Sequence, residues 1–257
     1  MEIIIICLVA FLAAMLTFFS GFGLGTLLTP VFMIFFPVEL AIALTGVVHF
    51  FNNVFKLFLV GKHANKAVLL KFGVPAVLAS FAGAWLLLHI PDSNPLFSYE
   101  AFGKSFEVYP IKFLISVLLI LFALMDLLPL FKNLKFGSKL LPLGGALSGF
   151  FGGLSGNQGA LRAAFLIKAG LSKEAFIGTA VVVSAFVDFT RLSVYSSRLL
   201  KADLTDNLLL IVLAVFAAIS GAYLGNILLK KLTIHTVQTI VAVMLIGLSL
   251  ALGLGLI

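Results

Sequence analysis

Long apolar runs, separated by short polar or glycine-rich stretches, follow one another along the whole chain. Six of them approach or exceed the ~20 residues with which a helix crosses the hydrocarbon core of a bilayer. These runs are residues 3–19, 41–60, 68–88, 113–125, 208–229 and 237–257. Apolar residues follow one another without alternating with polar ones in these runs, which favours helices over the strands of a membrane barrel. The pattern therefore predicts an all-α polytopic membrane protein.

Two apolar stretches are interrupted by glycines, in SGFGLG at residues 20–25 and in SGNQG at residues 155–159. The leg after each break holds about eleven residues, or ~16 Å of helix, too short for a hydrocarbon core of ~30 Å. We therefore expect each broken segment to enter the membrane and return as a hairpin. The expected hairpins are 3–36 and 140–169, and the expected spanning helices are 39–60, 67–90, 110–130, 174–197, 205–229 and 235–256.

An internal repeat underlies this order of segments. Polar residues are scarce in the chain, so their coincidence at one offset carries more information than apolar matches do. At an offset of 135 residues the matches include Ser20 with Ser155, Gly21 with Gly156, Glu39 with Glu174, Asn53 with Asp188, and Lys56 with Arg191. We predict two homologous halves, membrane repeat 1 at 1–130 and membrane repeat 2 at 140–257, joined by a linker at 131–139.

Composition agrees with a membrane protein. Hydrophobic residues make up 62% of the chain and charged residues 11%, whereas a soluble domain carries roughly 25% charged residues. The net charge of +7 arises from basic residues at helix ends, which mark cytoplasmic loops and do not indicate a nucleic-acid partner. We expect a multi-pass protein in the lipid bilayer of the cell membrane, the inner membrane if the source is a bacterium.

The distribution of basic residues also favours the hairpins. With hairpins, the loops on one face carry nine basic residues and those on the other face four, whereas single crossings would give seven and six. The positive-inside bias therefore predicts a cytoplasmic linker at 131–139, outward-facing termini, and halves that are inverted relative to each other. The long loop at 91–110 is then expected to be an extracellular connector rather than a lid.

The first apolar run does not have the features of a cleaved signal peptide, which needs a basic start and a small-residue cleavage site. Glu2 is the only charged side chain before the run, and bulky phenylalanines precede Ser20. We expect the run to be retained as a membrane segment. The single cysteine, Cys7, lies in it and is expected to be a packing residue.

Glycine breaks at matching positions of two halves are typical of a transporter's binding site. Backbone outside a helix finds no partner in lipid, and its free N–H groups together with the helix dipole bind anions. In the second break the candidate anion ligands are Ser155, Gly156, Asn157, Gln158, Gly159 and Arg162. The competing interpretation is that the glycines only allow close helix packing, and it is an equal competitor for Ser20 and Gly21 in the first break.

Asp188 and Arg191 lie three residues apart on one predicted spanning helix and therefore on one face. A charge at mid-membrane costs on the order of 3 kcal/mol, so the two must be paired or face a cavity. One interpretation is a buried ion pair that holds helices together. The other, which we favour, is that Arg191 binds an anion while Asp188 exchanges a proton.

The matching positions in the first half are Asn53 and Lys56. A cavity holding Lys56 and the two arginines against one carboxylate favours an anionic solute, although Lys56 could instead extend to the membrane interface. His49 lies one turn before Asn53 and is a second candidate for proton coupling. The alternative for His49 is an ordinary hydrogen-bonded histidine.

Other chemistries lack their motifs. The four histidines are scattered, and no His, Cys, Asp or Glu cluster has metal-ligand spacing. The sequence contains no Walker loop, zincin motif or nucleophile elbow. We therefore expect no enzyme activity, no metal and no cofactor.

The two stretches SGFGLGTLLTPVFMIFFPVELAIALTG and SGNQGALRAAFLIKAGLSKEAFIGTAV resemble the repeated motif of the TauE/SafE sulfite exporter family of membrane transporters. The resemblance covers nearly the whole chain and implies transport of small sulfur-containing anions such as sulfite or sulfonates. It would assign function to Gly21, Gly23, Gly25, Pro30, Gly156, Gly159 and Thr179. The family's usual triple glycine is absent from both halves, so the family's typical substrate need not be this chain's.

The sequence thus predicts a secondary transporter of a small sulfur-containing or organic anion that works by alternating access, with proton coupling as an option. A passive anion channel, an intramembrane enzyme and a membrane scaffold remain as alternatives. The substrate, the direction of transport and the coupling ion are left open, and a homodimer is compatible with the sequence.

Overall fold

The computed structural model describes residues 1–18, 24–90, 94–101, 103–128, 137–201, 204–228 and 234–257. The described chain is predominantly helical, which confirms the predicted all-α membrane class. The first half contains α1 (Glu2–Thr17), α2 (Leu24–Met33), α3 (Val38–Val60), α4 (Lys66–Leu87) and α5 (Pro110–Leu127). The second half contains α6 (Leu141–Ser155), α7 (Gly159–Leu166), α8 (Lys173–Lys201), α9 (Leu204–Leu228) and α10 (Ile234–Gly253).

Four segments are long and apolar enough to cross a membrane among the residues that the structure describes. They are Val38–His63, Lys66–Leu87, Lys173–Ser196 and Asn207–Leu228, which correspond to α3, α4, α8 and α9. The apolar stretches of α1, α2, α5 and α10 are shorter. Helices therefore occur at all six predicted spanning positions, although α5 and α10 contribute less length than expected.

The second broken segment folds back on itself within the protein. Gly156 ends α6 in the left-handed conformation, with φ at +74°, which reverses the chain. The Ser148 hydroxyl donates a hydrogen bond to the Gln158 carbonyl at 3.1 Å, and the Phe165 ring packs directly onto Gly144. Because α7 runs back along α6, residues 140–169 form a hairpin inside the protein, and its return to one face of the membrane stays a prediction. In the first half α1 packs against α2, and the intervening turn lies outside the described residues.

Each helix of one half packs on a helix of the other half, and every such contact has a counterpart in which the two halves take each other's roles. Helix α1 packs on α9 and α6 packs on α4, while α3 packs on α8 and α5 on α10. At the first two interfaces Gly145, Gly149 and Gly153 of α6 lie against backbone of α4, and Gly221 and Gly225 of α9 lie against backbone of α1. Small residues let membrane helices approach this closely. The inverted orientation and the boundaries of the halves stay predictions.

The loop between α4 and α5 contains a two-stranded hairpin that the sequence analysis missed. Strands β1 (Phe97–Ala101) and β2 (Lys104–Val108) pair antiparallel around Gly103, whose φ is +71°. The Tyr99 hydroxyl donates to the Leu254 carbonyl at 2.7 Å, which ties the hairpin to the end of α10. Alternating polar and apolar residues were the available signal, but each strand holds only five residues.

Candidate functional site

Helices α3 and α8 pack against each other through faces that carry polar side chains. These side chains are Thr45, His49, Asn53 and Lys56 of α3 and Ser184, Asp188 and Arg191 of α8, and all of them are buried. Their spacing of three or four residues places each set on one side of its helix. Polar faces that meet inside the protein avoid lipid, where their groups would lack partners.

Asp188 binds groups from both halves of the chain. Its Oδ2 accepts a hydrogen bond from Nδ2 of Asn53 at 2.8 Å and lies 2.6 Å from Nδ1 of His49. Its Oδ1 accepts from Nε of Arg191 at 3.0 Å and lies 2.9 Å from Nη2 of the same guanidinium. Both oxygens therefore face donors, which is the arrangement expected of an ionised carboxylate. The predicted pair of Asp188 and Arg191 forms a buried ion pair.

A small cavity lies on the His49 side of this network. Its volume is about 20 Å³, which leaves room for about one water molecule. The cavity is lined by Thr17, Phe18, His49, Asn53, Lys56, Arg162, Ile177, Ala180, Val181 and Ser184. We call it the Lys56–Arg162 cavity. The described lining includes two basic side chains and no carboxylate, and Asp188 lies directly behind His49 and Asn53.

Both cations are held inside the protein. Nζ of Lys56 lies 5.3 Å from the centre of the Phe18 ring, within the range of a cation–π contact. Lys56 is 5% exposed, so it does not extend to a surface as the alternative interpretation proposed. Nη1 of Arg162 donates a hydrogen bond to Oγ of Ser184. The two halves therefore each supply one cation to the same cavity.

The other ligands predicted around the second break do not line this cavity. The Ser155 hydroxyl donates to the Phe151 carbonyl of its own helix at 2.9 Å. Oδ1 of Asn157 accepts from the Thr26 hydroxyl at 2.8 Å, and Gln158 contacts α6 through its carbonyl. Arg162 is separated from these residues because the chain reverses at Gly156 and Arg162 lies on α7, after the reversal. The predicted single site is thus divided between two sides of Asp188.

Arg191 lies on the second side, beside the hairpin turn. A Cβ atom built on Gly156 would lie 2.8 Å from Nη1 of Arg191. The guanidinium therefore pairs with Asp188 and also reaches the break, where the sequence had placed Arg162 rather than Arg191. Gly159 begins α7 and is buried.

The remaining predicted positions have other surroundings. Ser20, Gly21 and Gly23 lie outside the described residues. Gly25 is buried in α2, where a Cβ would lie 3.1 Å from the Gly156 carbonyl oxygen, so the two breaks approach each other. The Thr179 hydroxyl accepts from the Asn65 backbone N–H at 2.9 Å, which ties α8 to the start of α4. Pro30 lies inside α2 and is buried.

Sequence reasoning missed Ser184, Thr17 and Phe18. Ser184 precedes Asp188 by one turn and stands at the position of His49 in the second half, at the same offset of 135 residues. The repeat could therefore have identified it. Thr17 and Phe18 gave no such signal, because a threonine and a phenylalanine at the end of an apolar run are ordinary membrane-helix residues.

The chain matches a known protein family. The family model described as Sulfite exporter TauE/SafE matches residues 6–252, which include the second hairpin and the α3–α8 contact. No curated protein matches the chain. No solved structure matches it.

Proposed function

Because the chain belongs to the TauE/SafE sulfite exporter family, we propose that it is a secondary transporter of a small sulfur-containing oxyanion in the cell membrane. The family is one of transporters, and the apolar helices make the chain a multi-pass membrane protein. The observation that supports the anion is the Lys56–Arg162 cavity, where two buried cations face a polar space. A buried lysine is costly unless an opposite charge offsets it, and an anion in the cavity would offset the charge of Lys56.

The side chains of the cavity suit an oxyanion. The planar guanidinium of Arg162 can donate two parallel hydrogen bonds to oxygen atoms. The Ser184 hydroxyl and the Asn53 amide add neutral donors, and Lys56 adds a point charge. In the conformation described, the Phe18 ring contacts Lys56. We propose that the anion replaces this ring as the partner of the ammonium group.

The volume of the cavity supports a carrier over an open channel. A space of about 20 Å³ holds about one water molecule, so an oxyanion of several atoms requires the surrounding segments to separate. Hairpins built from short legs, packed through glycines, are the segments that we propose to move. Alternate opening to the two faces of the membrane would then carry the anion across, as in transporters built from inverted repeats.

His49 connects the cavity to Asp188 and is the proposed site of proton coupling. It lines the cavity, and its Nδ1 lies 2.6 Å from Oδ2 of Asp188. A proton taken up by this pair adds positive charge beside the anion, so proton binding and anion binding favour each other. This reciprocity would let a pH gradient drive the anion against its own gradient.

Ligand-dependent thermal stability tests the proposed site. Purified protein in detergent is heated with sulfite, thiosulfate, sulfate, methanesulfonate or acetate, because a ligand at about a hundred times its Kd stabilises by ~2.7 kcal/mol. We expect a sulfur oxyanion to raise the Tm of the wild type and to have little effect on Arg162→Gln or Lys56→Gln. Lys62→Gln removes the same charge at an exposed position and is the matched control. An undiminished response in both cavity variants would contradict the site.

Flux measurements separate the carrier from the channel. In proteoliposomes with an imposed pH gradient, we expect the stabilising anion to accumulate above equilibrium and the accumulation to collapse when a protonophore removes the gradient. Passive equilibration alone, unchanged by the pH gradient, would support a channel and exclude proton coupling. His49→Gln is expected to keep a hydrogen bond to Asp188 while losing the uphill component.

A further inference from the structure

A second group of buried polar side chains lies on the opposite side of Asp188 from the cavity. We call it the Arg191 compartment and define it by Thr29 of α2, Thr45 of α3, Asn157 and Gly156 of the second break, and Arg191 of α8. The four side chains are at most 2% exposed. None of them lines the Lys56–Arg162 cavity. The compartment is therefore a separate polar region and not an extension of that cavity.

The polar side chains of this compartment lie close to two glycines of the breaks, Gly156 and Gly25. A Cβ on Gly156 would lie 2.8 Å from Nη1 of Arg191 and 3.4 Å from Oγ1 of Thr29. A Cβ on Gly25 would lie 3.1 Å from the Gly156 carbonyl oxygen and 3.5 Å from Cγ2 of Thr45. Side chains from three helices therefore converge on backbone that carries no side chain of its own.

Several polar atoms of the compartment lack a hydrogen-bond partner within the described ranges. These atoms are Oγ1 of Thr29, Oγ1 of Thr45, Nδ2 of Asn157 and Nη1 of Arg191, and none has a hydrogen-bond partner among the described residues. Buried polar atoms are rarely left unpaired, so a group of them indicates a bound molecule. The guanidinium and amide nitrogens can only donate, and the hydroxyls can donate as well. The set matches a ligand rich in acceptor atoms, such as an oxyanion.

The two compartments correspond to each other through the repeat. Lys56 and Arg191 stand at equivalent positions, 135 residues apart. Each lies next to the end of the first helix of its own half, Lys56 over Phe18 and Arg191 beside Gly156. The repeat therefore relates the Lys56–Arg162 cavity to the Arg191 compartment. If the halves are inverted in the membrane, the two regions are oriented toward opposite faces.

We propose that the Arg191 compartment is a second binding station for the transported oxyanion, which passes between it and the Lys56–Arg162 cavity on its way across the membrane. The proposal rests on the proposed anion transport. Asp188 lies between the stations, with Oδ2 toward His49 and Asn53 and Oδ1 on Arg191. When the anion reaches Arg191 it competes with Asp188 for the guanidinium, so passage between stations is coupled to the state of that carboxylate.

Removal of the two hydroxyls tests the station without adding bulk. In the double variant Thr29→Val with Thr45→Val, we expect anion flux into proteoliposomes to fall at least tenfold. The Kd of sulfite at the cavity, from thermal shift in detergent, is expected to stay within twofold of the wild type. The Tm without ligand should not fall, because neither hydroxyl has a hydrogen-bond partner in the described part of the chain. Thr190→Val, whose hydroxyl donates to the Phe186 carbonyl of its own helix at a half-buried position, is the matched control.

Each outcome of this measurement decides the inference. Wild-type flux in the double variant would mean that the compartment holds only water, and the inference would fail. Loss of sulfite binding together with flux would mean that the two regions form a single site, which also overturns it. The failure of the proposed function has a different signature, because the wild-type protein itself would then neither bind nor move any of the sulfur oxyanions.

Thiol labelling tests the opposite orientation of the two stations. In a Cys7→Ala background, which removes the only cysteine, Thr29→Cys and Ser184→Cys are exposed to a membrane-impermeant thiol reagent in right-side-out and inside-out vesicles. We expect the two positions to react in vesicles of opposite orientation. Reaction of both from the same face, or no reaction of Thr29→Cys from either face, would overturn the second station.

Discussion

Asn53 and Asp188, which the predicted repeat relates, hydrogen-bond to each other, with Nδ2 of Asn53 at 2.8 Å from Oδ2 of Asp188. Their separation along the chain equals the offset of the repeat, 135 residues. The contact therefore joins two positions that the predicted repeat relates, where one half supplies a carboxylate and the other an amide. An amide can donate where a second carboxylate would repel, so the departure from symmetry makes the contact stable at neutral pH.

Restoring the symmetry should make stability depend on pH. In Asn53→Asp two carboxyl groups share the contact, and like charges this close cannot both ionise. At low pH the new carboxyl group is protonated and can donate as the amide does. As the pH rises, the folded protein must either hold two carboxylates in contact or keep a proton that the unfolded chain releases, and both lower its stability. We expect the Tm of the variant, relative to the wild type, to be lower at pH 8 than at pH 5.

The control for this variant is Asn65→Asp. Asn65 caps the start of α4, where its Oδ1 accepts from the Val68 N–H at 3.1 Å, and aspartate is an equally good residue at such a cap. We expect no comparable loss of Tm at pH 8 for this control. Equal behaviour of the two variants across the pH range would show that Asn53 and Asp188 are not in electrostatic contact.

Breaking the buried ion pair should cost more than removing both charges. Arg191→Met leaves Asp188 buried opposite His49 and Asn53 without its cation, and the loss of one partner in such a pair typically costs about 3–5 kcal/mol. In Arg191→Met with Asp188→Asn the uncompensated charge is gone, so we expect most of the lost stability to return. Denaturation in mixed micelles measures both. Transport should remain absent in the double variant, since the arginine itself is missing.

Gly156→Ala should affect both stability and transport through a single methyl group. The residue has a φ of +74°, which costs an L-residue roughly 1–2 kcal/mol, and the new Cβ would lie 2.8 Å from Nη1 of Arg191. Gly170→Ala is the matched control, because its φ is +71° but no atom lies within 4 Å of the added Cβ. If Gly156→Ala loses more Tm and more flux than Gly170→Ala, we attribute the difference to displacement of Arg191. Equal losses would place Arg191 away from the turn.

The glycine contact between α6 and α4 should not tolerate a side chain. A Cβ on Gly149 would overlap the backbone carbonyl of Ala76, and overpacking of this kind typically costs ~1–3 kcal/mol. Gly247→Ala places the same methyl group on an exposed face of α10 with no atom within 4 Å. There we expect a gain of up to ~1 kcal/mol from helix propensity. A neutral Gly149→Ala in a thermal unfolding assay would contradict the close approach of the two helices.

Hydropathy and spacing predicted much of the architecture. The apolar runs identified the membrane class and the positions of α3, α4, α5, α9 and α10, because the need for ~20 apolar residues is a local property of the chain. The glycines of SGNQG and the short leg after them predicted the hairpin for the same reason. The β1–β2 hairpin was missed, since five-residue strands give little periodic signal and it is held by a distant contact between Tyr99 and Leu254.

For the candidate site, too, the sequence predicted one part and the tertiary structure decided the other. Sequence alone determined which rare charges must lie inside the protein, because Asp188, Arg191 and Arg162 interrupt segments that otherwise avoid water. Only the tertiary structure decided their grouping, with Arg162 beside Ser184 and Lys56 in one cavity and Arg191 with Gly156 on the other side of Asp188. That grouping depends on the contact between α3 and α8 and on the reversal at Gly156. Helical periodicity defines the face on which a side chain lies, but the partner of that face is set by long-range packing.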